Sequence, residues 1–268
     1  MPGLHDRFET LKRNLAQMGS AAVAFSGGAD STLLLCAAQD ALGDRVLSVT
    51  ASSKAFPSGE LDDARKFCRA RGVRHEVVAL DLLSVPQFAE NPPDRCYHCK
   101  KAIFAEICRI AAERGFLHVA EGSITDDDAD YRPGKRAIAE LGVESPLRNA
   151  GFTKKDVREL LYAMGVTAAE KPASACLASR FPYGERISAD ALERVENAER
   201  FIRALIPPHS QLRVRSHGTL ARIEVSPHAM DAAMSQRVKI AAEMKRLGFA
   251  YTALDLSGYR TGSLNETL

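Results

Sequence analysis

Val23-Ala24-Phe25-Ser26-Gly27-Gly28-Ala29-Asp30-Ser31 constrains this chain more than any other stretch, because an apolar strand runs into a Ser-Gly-Gly-x-Asp-Ser turn that opens a helix. Gly27 and Gly28 lack a Cβ, so the backbone there can take φ > 0 and approach an anion closely, while Ser26 and Ser31 add hydroxyl donors. The helix that follows, Thr32 to Leu42, turns its free N–H groups and the positive end of its dipole on the same spot. The stretch therefore reads as a phosphate cradle formed by Ser26, Gly27, Gly28, Asp30 and Ser31. It is not a Walker A loop, which ends in Gly-Lys-Ser/Thr, nor a G-x-G-x-x-G turn. A glycine turn that binds nothing is the plainer alternative, and the strand, the two serines and Asp30 together argue against it.

A cradle of this kind needs a sheet behind it, and the next segments supply one. Gly43 ends the helix and Val46 to Thr50 follows as a buried strand, which completes a β-α-β unit. Ser58 opens a helix with Leu61, Ala64 and Cys68 on one face, and His75 to Leu80 is a third strand. A helix from about Lys100 to Arg114 leads into a fourth, Phe116 to Ala120. Such alternation predicts an α/β fold, a doubly wound parallel sheet with its ligand at the carboxyl ends of the strands. Thr153, with Asp156 three residues on, caps a helix that reaches Met164. The segment from Val166 to Arg186 is irregular and long enough to point to function.

Beyond it the pattern changes. A helix from Ser188 to Leu205 precedes two alternating strands, Leu212 to Arg215 and Leu220 to Val225; a helix from Ser226 to Leu247 and a strand from Tyr251 to Leu256 follow. The expected organisation is a cradle domain over residues 1–165, a cysteine loop over 166–187 and a smaller C-terminal α+β domain over 188–268. In the hairpin, Leu212, Val214, Ile223 and Val225 face the helices and leave Arg213, Arg215, Arg222 and Glu224 on the opposite face.

The 268 residues carry a net charge of only +2, too little to predict nucleic-acid binding, so any anion site must be a local cluster of basic residues. The first helix is amphipathic and lacks the apolar core of a secretion signal, and no later run is long enough to span a bilayer. Six cysteines in such a chain point to a reducing cytoplasm, where they are thiols, ligands or catalysts.

Two cysteine segments carry potential chemistry. Cys176 stands in an irregular loop with Lys171, Arg180 and Arg186 nearby, and cationic neighbours raise a thiol's thiolate fraction. On the residues alone, a nucleophile and a packing cysteine remain equally open. Cys96-x-x-Cys99 has a spacing that also serves zinc and iron–sulfur sites, but a closed zinc site wants two further ligands. Cys36, Cys68 and Cys108 fall on helix faces and read as core.

The cradle resembles the PP-loop of the N-type ATP pyrophosphatases, whose members bind ATP there and split it between the α- and β-phosphates. With it, Arg95-Cys96-Tyr97-His98-Cys99-Lys100, Asp130-Tyr131-Arg132-Pro133-Gly134, Ser145-Pro146-Leu147, Ala175-Cys176-Leu177-Ala178-Ser179-Arg180 and Gly258-Tyr259-Arg260-Thr261-Gly262-Ser263-Leu264-Asn265 resemble the LarE family over nearly the whole chain. The resemblance implies a PP-loop, adenine nucleotide α-hydrolase-like fold and an ATP-dependent sacrificial sulfur transferase. Such an enzyme adenylates a carboxylate of pyridinium-3,5-biscarboxylic acid mononucleotide and replaces AMP by a cysteine thioester. Cleavage of the Cβ–S bond then leaves dehydroalanine, on the way to the nickel-pincer nucleotide of lactate racemase.

By this match Cys176 is the consumed cysteine, and Ser26, Gly27, Gly28, Asp30 and Ser31 bind ATP. Asp30 with Asp127 or Asp128 would hold Mg²⁺, since hard carboxylate oxygens suit that ion. Arg213, Arg215 and Arg260 are candidates for the acceptor's phosphate, because guanidinium pairs bidentately with phosphate; the alternative is a solvated strand face with surface salt bridges. Arg180 joins them as a substrate contact, and Tyr97 is placed to stack on the flat cationic ring. Where the family commonly reads Gly-Thr-Asn, this chain has Gly122-Ser123-Ile124, which argues against a ligand role for Ile124. ATP and Mg²⁺ are the expected cofactors. An iron–sulfur cluster on Cys96, Cys99 and Cys176 is not expected, although some relatives hold one. The expected partners are a small-molecule nucleotide and further copies of the chain, with no nucleic acid and no membrane. Rival readings are an RNA-modifying thiolase, an amide ligase like the NAD or GMP synthetases, and a nucleotide-binding regulator without turnover.

Overall fold

A computed structural model describes residues 3–129, 133–170 and 175–267. The chain divides into two compact units, one of residues 1–53, 58–81 and 94–171, the other of residues 54–57, 82–93 and 172–268.

The first unit is built on four strands, β1 (Ala21–Ala24), β2 (Val46–Ser52), β3 (Arg74–Ala79) and β4 (His118–Ala120), in the order β3-β2-β1-β4. Every pairing is parallel, with Ala21 opposite Val46 on one side and His118 on the other. Alternation along the strands sends Val23 and Val46 into one core and Ala22, Leu47, Val49 and Val78 into another. Over the first core lie helices Leu4–Gln17, Ala29–Leu42, Ser58–Arg71 and Lys154–Ala163, through Leu11, Leu15, Leu33, Ala64, Val157 and Leu161. Over the second lie Arg95–Glu113 and Gly134–Glu140, through Phe104, Ile107, Ala111 and Ile138. The sheet is thus doubly wound, as the alternating pattern predicts. β2 and β3 lie to one side of β1 and β4 to the other, so the strand order reverses beside the carboxyl end of β1, where open α/β sheets bind their ligands.

The helix expected from about Lys100 begins at Arg95, so the Cys96-x-x-Cys99 run occupies its first turns. Thr153 caps the last helix of the unit as predicted, with Asp156 completing a capping box.

The second unit carries an antiparallel hairpin, β5 (Leu212–His217) with β6 (Leu220–Val225), extended in parallel by β7 (Tyr251–Leu254). Helix Ala189–Arg203 lies against β5 and buries Leu192, Val195, Ala198 and Ile202. The single helix expected from Ser226 to Leu247 is instead three pieces, Pro227–Ala229, Met230–Ser235 and Arg237–Arg246, interrupted at Gln236. The segment around Cys176, expected as a linker, belongs to this unit through its backbone. Leu177 N–H bonds Ala55 O at 2.7 Å, Gly184 N–H bonds Asn91 O at 2.8 Å, and Ile187 N–H bonds Ala89 O at 2.8 Å. Among the described residues no helix is long and apolar enough to cross a membrane.

Candidate active site

Phe25 N–H bonds Val49 O at 2.9 Å and carries the β1–β2 ladder one residue past the strand. The chain then turns at Gly27, whose φ of +73° only glycine adopts cheaply. Gly28 has φ of −78° and serves as N-cap of the next helix, so the left-handed backbone expected of both glycines falls on Gly27 alone. Because Gly28 has no side chain, no side-chain cap bonds the first N–H groups of that helix. Ser31 Oγ donates to Gly28 O at 3.1 Å and sits 3.1 Å from Ser26 Oγ, which brings both hydroxyls to the turn.

The loop after β4 packs on the same helix end. A Cβ added to Gly122 would lie 2.9 Å from Ser31 N and 3.1 Å from the Asp30 carbonyl carbon, so only glycine fits there. Glu121, buried beside it, accepts from Ser123 N–H at 3.1 Å, Ser123 Oγ at 2.9 Å and Ser145 Oγ at 2.5 Å. Ile124 is buried in the first core, in keeping with its having no ligand role.

The acidic candidates separate. Asp30 is gripped by Lys154, whose Nζ lies 2.8 and 2.7 Å from its two carboxylate oxygens. Asp127 turns its carboxylate back to Ile124 N–H at 3.1 Å, a capping contact at the start of the turn Thr125–Ala129. Asp127 is therefore engaged in local structure, and the side chain of Asp128 lies outside the described residues. Among the described residues no three acidic, histidine or cysteine side chains gather as a metal cage. Mg²⁺ typically binds one or two carboxylates together with substrate phosphates, so Asp30, which already holds a cation, fits that ion by itself.

Tyr97 is buried, and its ring is already stacked. The Arg136 guanidinium lies 3.8 Å from its centroid, and the hydroxyl donates to Glu140 at 2.7 Å. The expected cation–π contact exists, but with Arg136 as the cation in place of a substrate ring.

In the second unit, Cys176 is half-buried and opens the turn Leu177–Arg180. Its carbonyl accepts from Arg180 Nη1 at 2.8 Å and from Ser179 Oγ at 2.8 Å. Arg180 also donates to Ala175 O at 2.7 Å and clasps Glu199 with Nε and Nη2, each at 2.8 Å. Expected as a substrate contact, Arg180 is only 2% exposed and its guanidinium is turned to protein partners. Glu199 also accepts from Val214 N–H at 3.0 Å. Burial alone would raise its pKa, but the Arg180 bonds outweigh that and hold it below the usual range.

The hairpin's arginine face is buried, which excludes the solvated alternative for Arg213 and Arg215. Arg215 bonds Glu224 at 2.7 and 3.0 Å, Ser179 O at 2.8 Å and Ser263 Oγ at 3.0 Å. Arg213 bonds Leu212 O at 2.7 Å and lies over the Tyr259 ring at 5.1 Å. Burial first, and then the like charge of Arg180, pull its pKa down to about 10. Around the Cys176 turn, arginines 180, 213 and 215 thus face the buried carboxylates of Glu199 and Glu224, an arrangement with positive charge in excess. Arg260 is more exposed and pairs with Glu266 at 3.0 Å.

Sequence reasoning missed Lys154, Gly122, Glu121, Glu199, Glu224 and Ser263. Two had a signal. Glu199 falls among Leu192, Val195 and Ile202 on the buried stripe of its helix, and Lys154 opens a helix whose dipole disfavours a cation there.

A strand-loop-helix phosphate cradle at the switch point of a parallel α/β sheet defines a PP-loop protein of the ATP-using class. Residues 20–91 match the family model described as queuosine biosynthesis protein QueC. Over its full length the chain is 39% identical to the pyridinium-3,5-bisthiocarboxylic acid mononucleotide synthase of Lactiplantibacillus plantarum, of which 97% is covered. It is 37% identical to an uncharacterized protein of Synechocystis, with 99% of each chain covered. A shorter match, 40% identical over 58% of this chain and 54% of the relative, is to a glutamine-hydrolyzing GMP synthase of Thermoplasma acidophilum. The chain belongs to the LarE family of PP-loop sulfur transferases.

Proposed function

We propose that the protein adenylates a carboxylate of pyridinium-3,5-biscarboxylic acid mononucleotide and gives it the sulfur of Cys176. The observation that carries this reading is the turn at Cys176. Arg180 fixes the carbonyls of residues 175 and 176 while the thiol itself stays half-exposed, among buried cations suited to a thiolate and an anionic acceptor. All six cysteines are free thiols, which supports a reducing compartment such as the cytoplasm.

A carboxylate is a poor electrophile at neutral pH, and an acyl-adenylate supplies a leaving group. The carboxylate oxygen attacks the α-phosphate of ATP and the α–β phosphoanhydride bond breaks, releasing pyrophosphate. Ser26, Ser31 and the first N–H groups of helix Ala29–Leu42 hold the phosphates. Mg²⁺, when bound at Asp30, would neutralise charge on the departing pyrophosphate. The Cys176 thiolate then attacks the acyl carbon and expels AMP, forming a thioester. Removal of the Cys176 α-proton drives the electron pair into a Cα–Cβ double bond, the Cβ–S bond breaks, and the sulfur leaves with the acceptor as a thiocarboxylate. Dehydroalanine remains in the chain. Arg213, Arg215 and Arg260 supply the positive charge for the acceptor's phosphate.

Intact-protein mass spectrometry after incubation with ATP, Mg²⁺ and the acceptor tests the reading. One hydrogen sulfide should be lost per chain, mapping to the Cys176 peptide, and Cys176→Ala should release pyrophosphate yet transfer no sulfur. Several turnovers with Cys176 unaltered would overturn it.

A further inference from the structure

The phosphate cradle holds a cation that the chemistry above does not use. Lys154 Nζ chelates both oxygens of Asp30, and each of the two side chains keeps about a third of its surface in solvent. Its backbone is fixed. Thr153 and Asp156 form the capping box of the helix that Lys154 begins, and Lys154 N–H bonds Asp126 at 3.1 Å. Helix stability does not account for a lysine here, because the dipole opposes a cation in the first turn. A partly exposed ion pair also adds little to stability.

The electrostatics of the turn do account for it. Asp30 stands in the first turn of helix Ala29–Leu42, where the phosphate-binding N–H groups begin, so its bare carboxylate would repel a polyphosphate. A cation must accompany it. When ATP arrives with a divalent cation for Asp30, two cations compete for one carboxylate while new anionic oxygens enter beside them. Lysine is a compact charge with three donors on a flexible stem, and it binds phosphate as a point charge.

We propose that Lys154 is an ATP-site residue that changes partner, neutralising Asp30 in the nucleotide-free protein and turning to the polyphosphate in the complex. The inference rests on the PP-loop being the ATP site.

Calorimetric titration with ATP and with inorganic pyrophosphate, with and without Mg²⁺, tests it in the parent, Lys154→Met, Lys154→Gln, Lys154→Arg, Asp30→Asn and Gly27→Val. Both neutral substitutions at Lys154 should weaken magnesium-free binding by about tenfold to a hundredfold, the scale of one charge-assisted hydrogen bond. Lys154→Arg should recover most of that loss. Asp30→Asn should tighten magnesium-free binding, because the anion is gone and Lys154 is released, and should remove the gain that Mg²⁺ gives the parent. Parent-like affinity in both neutral variants, alongside lost binding in Gly27→Val, would overturn the role of Lys154 and leave the PP-loop reading standing. Parent-like affinity in Gly27→Val would overturn both. Circular dichroism on each variant separates lost binding from lost fold.

Discussion

Arg180 and Glu199 meet edge to edge, Nε to Oε1 and Nη2 to Oε2, both at 2.8 Å and both almost fully buried. This fork-to-fork pair joins helix Ala189–Arg203 to the turn that carries Cys176. The remaining face of the guanidinium holds the carbonyls of residues 175 and 176. Arg180 therefore acts on the thiol through the backbone, as a positioning residue.

Removing one member of that pair leaves a buried charge without its counterpart. Arg180→Met should cost about 3–5 kcal/mol of stability. Arg180→Lys should cost less but lose the bidentate geometry. In Arg180→Lys pyrophosphate release should persist while sulfur transfer falls, since adenylation precedes attack by the thiol. Urea unfolding with paired assays of pyrophosphate and thiocarboxylate checks this, and transfer at the parental rate in Arg180→Lys would refute the positioning role.

Gly122 tests the close approach of the β4 loop to the helix end that carries the PP-loop. A methyl group there must move Ser31 or Asp30, both of them backbone contacts. Gly122→Ala should cost about 1–3 kcal/mol as an overpacking strain and weaken ATP binding in parallel. Unfolding midpoints and ATP titration measure the two, and unchanged ATP affinity would show that the helix end tolerates the shift.

The fold of the first unit was legible because its evidence is local. Strand-helix alternation and the serine-glycine turn lie within a few residues of one another, and the Thr153–Asp156 cap is written in adjacent positions. The candidate site was legible only in part. Gly27 and Cys176 stand out within their own segments, whereas Asp30–Lys154, Arg180–Glu199 and Arg215–Glu224 join residues distant in sequence or on paired strands. Patterning gave Arg213 and Arg215 the polar face of a hairpin, yet that face is buried, and alternation cannot say whether a polar face meets water or partner charges. Tyr97 shows the same limit, since a ring suited to a cation does not reveal that Arg136 already supplies one.

Arg213 should trade stability against binding. Its folded pKa, about 10, lies below the ordinary arginine value, through burial and then the charge of Arg180. A base with a depressed pKa binds its proton less tightly when folded, so its charge costs stability at every pH below about 10. Replacing a buried ion by an apolar side chain of similar size is often neutral or stabilising by about 1–4 kcal/mol. Arg213→Met should therefore unfold no earlier than the parent and bind the acceptor about 1–3 kcal/mol more weakly. Calorimetry and urea unfolding read the two effects, and parental acceptor affinity would place the phosphate elsewhere.

His75 should set part of the acid sensitivity of the first unit. Thr50 Oγ1 donates to Phe25 O at 2.7 Å, directly before the PP-loop, so it accepts from His75 Nε2, 2.8 Å away. Burial, and then the charge of Arg65, lower the histidine's pKa. A depressed pKa means that the folded protein takes up its proton only at lower pH than the unfolded chain, whose value is about 6.5. The stability that neutral His75 contributes is thus complete above about pH 6.5 and is lost as pH falls from there through the folded pKa. Urea midpoints should drop between pH 7.5 and pH 5.5 in the parent. His75→Gln keeps a donor for Thr50 and has nothing to titrate, so its midpoint should drop less. His217, also depressed by burial and then by Arg222, is common to both proteins, and the difference between them isolates His75. Equal drops in the two would mean that His75 takes no part in the acid response.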